Sequence, residues 1–180
     1  DLNLSDSTFA IACTDLDRDG ETEVLVLGSS GNVASVKAKV IGDKNAKAEW
    51  VRNYKRGASG SSGLKNETSG MAIGDVNGDA YPEVVFLGDN LLYALDRFGV
   101  PVESFPVKLN RGAPVIGFYS DPLIVDVTGD KVPEILVPSS EGIVYAFTGK
   151  GKKVDGQFPL AAGSYEDDEF YMPMSIFVAD

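Results

Sequence analysis

Acidic side chains recur at alternate positions in a short stretch near the start of the sequence. This stretch, 15–23 (DLDRDGETE), places carboxylates at its first, third, fifth and ninth positions, with a glycine at the sixth. Calcium is a hard cation that takes about six to eight oxygen ligands, and alternate side chains of a tight turn converge on one point. The backbone carbonyl of the seventh residue can add a ligand. The spacing predicts a calcium loop, with an acidic turn held by Asx hydrogen bonds as the alternative.

The same arrangement returns twice, at 75–83 (DVNGDAYPE) and 126–134 (DVTGDKVPE), and we call the three stretches loops 1, 2 and 3. Ala80 and Lys131 stand at the sixth position, where loop 1 has Gly20. If the turn needs a positive φ there, a residue other than glycine costs about 1 kcal/mol. We therefore expect calcium affinity to fall from loop 1 to loop 3. The predicted ligands are the side chains of Asp15, Asp17, Asp19, Glu23, Asp75, Asn77, Asp79, Glu83, Asp126, Thr128, Asp130 and Glu134, and the carbonyl oxygens of Glu21, Tyr81 and Val132.

Short apolar runs follow the loops and indicate the elements that must position them. These runs are VLVLG (24–28), VVFLG (84–88) and ILVPS (135–139), which are typical of buried strands. SIFVAD (175–180) repeats the strand that precedes each loop, so Asp180 would open a fourth copy. Repeats of this size with about four short strands each predict an all-β fold of antiparallel β-propeller blades.

The repeat predicts a partial β-propeller over 1–180. A closed propeller needs about four to eight blades, so we expect either a fragment of a longer chain or a chain that combines its blades with those of neighbouring chains. Glycines and serines before the second copy predict a surface loop between blades. The predicted units are blade 1 at about 7–56, the inter-blade loop at 57–69, blade 2 at about 70–115, blade 3 at about 120–165 and the start of blade 4 at about 173–180.

Composition excludes several classes of function. The formal charge of −11 disfavours a nucleic-acid partner. No apolar run approaches the roughly 18 to 20 residues that span a bilayer, so no membrane span is predicted. The absence of histidine removes the commonest general base and the Ser-His-Asp arrangement. Cys13 is the only cysteine, and its alternating neighbours predict a small buried residue in a strand.

The three loops and their trailing strands resemble the FG-GAP or VCBS-type repeats of integrin alpha-subunit propellers and of bacterial surface proteins. The family pattern is D-x-D-x-D-G-x-x-D before apolar residues and a glycine, and 15–28 fits it except that Glu23 replaces the last aspartate. The resemblance implies that each loop joins the first two strands of a blade and holds calcium. It also implies a binding, adhesion or scaffold module, extracellular, on the cell surface or periplasmic, with a protein or carbohydrate partner.

Two other functions stay open. Some polysaccharide lyases also resemble this pattern, and they combine calcium with a lysine or arginine base, which needs no histidine. The basic residues available for that role are Arg52, Lys55, Arg56 and Arg111. The third function is structural: a subunit whose open strands complete a ring or filament with other chains.

Overall fold

The chain forms three four-stranded antiparallel sheets in the computed structural model, which describes residues 8–28, 31–54, 68–88, 91–109, 121–139, 143–156 and 158–161. Strands pair in chain order within each sheet. This confirms the predicted all-β class and its four-stranded blades. The first sheet contains β1 (Thr8–Thr14), β2 (Glu23–Gly28), β3 (Asn32–Lys37) and β4 (Trp50–Asn53), with a 3-10 turn at Ala38–Val40; the second contains β5 (Thr68–Gly74), β6 (Glu83–Gly88), β7 (Leu91–Leu95) and β8 (Val107–Lys108); the third contains β9 (Leu123–Val125), β10 (Glu134–Pro138), β11 (Ile143–Phe147) and β12 (Leu160–Ala161).

The second sheet is covered on both faces. Val84 and Phe86 of β6 pack in one buried cluster with residues of the first sheet, while Val85 and Leu87 pack in another with residues of the third. Successive side chains of a strand point to opposite faces, so β6 contributes alternately to the two clusters. This explains why the strand reads as a continuous apolar run instead of an alternating one.

The first strands of the three sheets lie next to one another, with β1 against β5 and β5 against β9. Each sheet therefore starts on the same side of the structure and runs outward, as propeller blades do around a common axis. Among the described residues, no helix has both the length and the apolar character to cross a membrane.

The last strand of the first sheet docks on the outer turn of the second. Trp50 Nε1 donates a hydrogen bond to the carbonyl oxygen of Arg97 at 2.8 Å. Arg52 Nη2 donates to the carbonyl oxygen of Phe98 at 3.0 Å, and the Tyr54 hydroxyl donates to that of Gly99. Three consecutive backbone carbonyl groups thus tie the two sheets together at their outer edge.

Cys13 is exposed, so the prediction that it is buried was wrong. Ala12 pairs with the buried Leu25, whereas Cys13 pairs with Val24 on the opposite face of the sheet. Exposed Ile11 lies on that same face. The alternation predicted the strand correctly but not which of its faces the second sheet would cover.

Several predicted boundaries remain untested. β5 begins at Thr68, so the last two residues of the predicted inter-blade loop 57–69 belong to a strand. The rest of that loop and the predicted start of blade 4 at 173–180 lie outside the described residues.

Candidate metal loops

Each acidic loop connects the first strand of its sheet to the second, as the resemblance implies. Loop 1 lies between β1 and β2, loop 2 between β5 and β6, and loop 3 between β9 and β10. The ninth residue of each loop is also the first residue of a central strand. Its side chain is buried in all three cases, which places a carboxylate directly beneath the turn: Glu23, Glu83 and Glu134.

A shared set of hydrogen bonds shapes the loops. The first-position aspartate accepts a bond from the sixth-position N–H at 2.8 to 3.0 Å, and the ninth-position glutamate accepts one from the second-position N–H at 2.6 to 3.0 Å. The fifth-position aspartate accepts a bond from the seventh-position N–H at 2.8 Å. Asx-type bonding therefore organises each turn by itself. Among the described contacts, the carbonyl oxygens of Glu21, Tyr81 and Val132 accept no hydrogen bond, which leaves them available to a cation.

The fourth and sixth positions of every loop have positive φ. Each loop fills one of these positions with glycine and the other with a residue that has a Cβ, so each carries one residue other than glycine in the left-handed region. Backbone strain consequently does not separate loop 1 from the others. The pairs are Arg18 (φ 59°) and Gly20 (φ 87°), Gly78 (φ 80°) and Ala80 (φ 74°), and Gly129 (φ 78°) and Lys131 (φ 72°).

Loop 1 brings its aspartates together. One carboxylate oxygen from each of Asp15, Asp17 and Asp19 lies within 4.8 Å of the others. Among the described residues, this is the one group of three or more acidic side chains that converges so closely. Loops 2 and 3 have Asn77 and Thr128 at the third position, and their acids at the first, fifth and ninth positions do not meet this spacing.

Lys37 of β3 places its ammonium among three acids of loop 1, Asp17, Asp19 and Glu23. It pairs directly with Glu23 across the sheet, and its Nζ lies 2.6 Å from Glu23 Oε1. The same nitrogen is 2.8 Å from Asp19 Oδ2 and 3.4 Å from Asp17 Oδ2. Glu49 adds a more distant contact at 3.6 Å. The ammonium therefore brings a positive charge to three of the side chains that the sequence predicts as calcium ligands.

Lys37 and the acids of loop 1 stabilise one another in their charged forms. The hydrogen bond from Lys37 holds the pKa of Asp19 below its ordinary value. Burial alone would lower the pKa of Lys37, but its hydrogen bonds to Asp19 and Glu23 and the nearby carboxylate charges raise it above its ordinary value. The ammonium is therefore charged at neutral pH. Asp15 Oδ1 is the buried oxygen of this loop that receives neither a hydrogen bond nor an ion pair within the described structure.

Loop 2 buries a carboxylate that has no basic partner. Glu83 is 1% exposed and accepts hydrogen bonds from Val76 N at 3.0 Å and Asn77 Nδ2 at 3.1 Å. Burial raises the pKa of Glu83 to about 7, and the charges of Asp79 and Asp75 contribute to the rise. None of these three acids makes an ion pair in the described part of the chain. A divalent cation bound by these three acids would offset their like charges.

Loop 3 repeats this pattern with a weaker donor. Glu134 accepts hydrogen bonds from Val127 N at 3.0 Å and from Thr128 Oγ1 at 3.4 Å. Bonds from the N–H groups of Lys131 and Gly129 hold the pKa of Asp126 below its ordinary value. A cation bound here would meet acids at the same first, fifth and ninth positions, with a hydroxyl in place of the amide of loop 2.

Sequence reasoning missed Lys37. The alignment of NLLYALDRFG (90–99) with GIVYAFTGKG (142–151) extends to GNVASVKAKV (31–40), which places Lys37 in register with Asp96 and Thr148. A basic residue at a position that is acidic or polar in the other two copies was the available signal.

Of the basic residues considered for a lyase, Arg52 is described. It lies in β4 and donates to the carbonyl oxygens of Val51 at 3.1 Å and Phe98 at 3.0 Å. Its role is therefore to join two sheets. Lys55, Arg56 and Arg111 lie outside the described residues.

No protein-family model and no curated protein matches the chain. Similar solved structures include BBS1N in complex with ARL6DN, soaked with lead (TM-score 0.55, 11% identity, 80% of this chain and 41% of that one) and soaked with mercury (TM-score 0.50, 12% identity, 81% and 37%). The Neurospora crassa Pan2 WD40 domain has a TM-score of 0.49 and 16% identity, over 85% of this chain and 38% of that one. The chain thus spans about two fifths of the length of these solved chains, and its fold is that of a β-propeller segment.

Proposed function

We propose that this chain is a calcium-binding β-propeller segment that acts as a binding or scaffold module. The observation that carries the proposal is the repetition of one oxygen-rich turn at the same place in three sheets, each with a carboxylate buried beneath it. In loop 2 that carboxylate, Glu83, lies below Asp75 and Asp79 without a basic partner among the described residues. Like charges at short distance repel, and calcium with its oxygen preference is the cation suited to offset them.

Calcium would act as a structural ion in the loops that bind it, above all in loops 2 and 3. An ion that binds only the folded state stabilises it by mass action, by about 2.7 kcal/mol at one hundred times its dissociation constant. Loops of modest affinity fill where calcium is near millimolar, which supports an extracellular, cell-surface or periplasmic location.

The proposed partner is a protein or a carbohydrate. Support for the protein comes from a similar solved structure, BBS1N, which is described in a complex with ARL6DN. The similarity to that structure is one of fold, so it favours a kind of partner and not a particular one.

Thermal unfolding with calcium and with chelator tests the proposal. At one hundred times the dissociation constant, calcium should raise the melting temperature by about 5 to 10 °C for a chain of this size. Asp75→Asn should reduce this rise, whereas Asp155→Asn, which removes the same charge at an exposed site outside the loops, should leave it unchanged. Equal melting temperatures with calcium and chelator, together with no heat of binding in titration calorimetry, would refute calcium binding.

A second role, the completion of a larger propeller, is favoured by an exposed apolar face of the first sheet. Ile11, Val26, Ala34 and Val51 lie side by side across its four strands. Ile11 and Val51 are 64% and 49% exposed, Val26 is partly exposed and the small Ala34 is buried between its neighbours. The proposed occupant is a further propeller blade, because the second sheet has a blade packed on each of its faces.

Sedimentation equilibrium tests this second role. With its face uncovered, the chain should self-associate, and Ile11→Lys should shift it toward monomer without lowering its melting temperature. A wild-type chain that stays monomeric at high concentration would contradict the role of this face.

A further inference from the structure

We propose that the Lys37 ammonium is the resident cation of loop 1, and that loop 1 takes up no calcium while this lysine is present. The inference rests on the proposed calcium binding for its comparison with loops 2 and 3. It places loop 1 last in calcium affinity, whereas the acidic side chains alone predict that loop 1 comes first.

The hydrogen-bonding capacity of the ammonium matches the loop. A lysine ammonium has three N–H donors and no acceptor. Three carboxylates of loop 1 receive it, at 2.6 Å from Glu23, 2.8 Å from Asp19 and 3.4 Å from Asp17. The two shorter distances are those of strong charge-assisted bonds.

Burial makes this lysine hard to replace by an added ion. The Lys37 side chain is 14% exposed and that of Glu23 is 1% exposed. A buried carboxylate needs a partner of opposite charge, and Lys37 supplies it from the adjacent strand. A calcium ion at the same point would lie beside a positive ammonium, so the loop holds one cation or the other.

The residues that match Lys37 in the other two sheets, Asp96 and Thr148, make hydrogen bonds within a turn instead. Asp96 Oδ1 accepts hydrogen bonds from Phe98 N at 2.9 Å and Val100 N at 2.8 Å. Thr148 Oγ1 accepts bonds from Lys150 N at 3.3 Å and Lys152 N at 3.4 Å. Both side chains therefore cap the tight turn that follows their strand and bring no positive charge to loops 2 and 3.

In the first sheet the residue at this position, Lys37, does not cap the turn that follows its strand. After β3 the chain enters the 3-10 turn at Ala38–Val40, whereas β7 and β11 are followed by the tight turns that Asp96 and Thr148 cap. Lys37 precedes this turn, but its side chain makes no capping hydrogen bond and extends to loop 1 instead. The different turn after β3 and the lysine in place of a capping residue thus occur in the same sheet.

Loop 1 keeps the oxygens of a metal site beneath the lysine. Asp15 Oδ1 is buried and receives no bond from the ammonium. Asp15, Asp17 and Asp19 already lie close enough to share an ion. Removal of the ammonium should therefore turn loop 1 into a calcium site.

The test is to count the calcium ions bound to wild type and to Lys37→Thr by equilibrium dialysis and titration calorimetry. Threonine is the residue at the matching position of the third sheet, Thr148. Lys37→Thr should bind one ion more than wild type. The control, Lys39→Thr, removes an exposed lysine that pairs only with Glu21 in the described structure, and it should bind the wild-type number.

A second measurement keeps the inference testable if Lys37→Thr folds poorly. Asp19→Asn in the wild-type background should leave the number of bound ions unchanged, because loop 1 holds none. The inference is overturned if Asp19→Asn lowers that number, or if folded Lys37→Thr binds no additional ion. A wild type without any calcium, beside a Lys37→Thr variant that binds one ion, would refute the calcium sites of loops 2 and 3 and support the inference.

Discussion

Gly149, in the outer turn of the third sheet, lies directly against the backbone carbonyl group of Val76 in loop 2. A Cβ at this glycine would sit closer to the carbonyl oxygen than non-bonded atoms can approach. The N–H of the same Val76 donates to the buried carboxylate of Glu83. The contact therefore couples the packing of the third sheet to the geometry of an acidic loop in the second.

Gly149→Ala should lower the free energy of unfolding by about 2 to 3 kcal/mol, because the added methyl group must displace backbone and not a flexible side chain. Gly88→Ala is the control, since its Cβ would meet the Tyr93 ring at an ordinary 3.7 Å. Urea unfolding of both variants measures the difference. Equal changes in unfolding free energy for the two variants would show that the third sheet can shift away from loop 2 at little cost.

Ala80→Gly should stabilise the protein by about 0.5 to 1 kcal/mol. Ala80 has a φ of 74° and an exposed side chain, so glycine relieves left-handed backbone strain without loss of packing. Ala48→Gly, at a position outside the positive-φ residues of the described chain, should destabilise it instead. Melting curves in chelator compare the two, and a destabilising Ala80→Gly would contradict the strain.

Glu23 and Lys37 should be strongly coupled in a double-mutant cycle in chelator. Lys37→Met alone leaves a buried carboxylate without its main partner, at a cost of about 3 to 5 kcal/mol, and Glu23→Gln should remove much of that cost. The exposed pair Glu21 and Lys39 is the control, with an expected coupling of about 0.2 to 1 kcal/mol. Similar couplings for the two pairs, measured by urea unfolding, would argue against an internal cation in loop 1.

The stability of the metal-free protein should depend on pH through the titration of Glu83. Its pKa is raised from 4.5 to about 7 in the folded state, so the folded chain binds the proton more tightly than the unfolded chain. The resulting stability is fully present below the unfolded value and is lost as pH rises through the folded value. Glu83→Gln should therefore gain stability relative to wild type as pH increases from 5 to 8, by roughly 1 kcal/mol or more.

Urea unfolding in chelator at several pH values measures this difference. Glu103→Gln is the control for an exposed glutamate, and its stability relative to wild type should stay flat. A Glu83→Gln difference that is equally flat would show that Glu83 is ionised in the metal-free fold at neutral pH.

The features that the sequence predicts well are local. The four-strand units and the acidic turns follow from apolar runs and from the spacing of Asp, Asn and Gly, which act within about ten residues of each other. Glu23, Glu83 and Glu134 are buried because each opens an apolar central strand, and the spacing already places them there.

The features that escape prediction depend on pairing between elements. Lys37 enters loop 1 only because β3 pairs with β2 in the register that sets it opposite Glu23. Cys13 is exposed because the second sheet packs on the face that holds Ala12. The alternation of residues within one strand predicts neither its register with the next strand nor which of its faces another sheet will cover.

The first sheet contacts the second through hydrogen bonds to the backbone carbonyl groups of 97–99. These hydrogen bonds do not depend on which side chains stand at those positions. Phe98 offers its carbonyl oxygen to Arg52, while its ring is 55% exposed. Residue 98 can therefore be varied, in evolution or by design, to create a new recognition surface while the hydrogen bonds between the two sheets are kept.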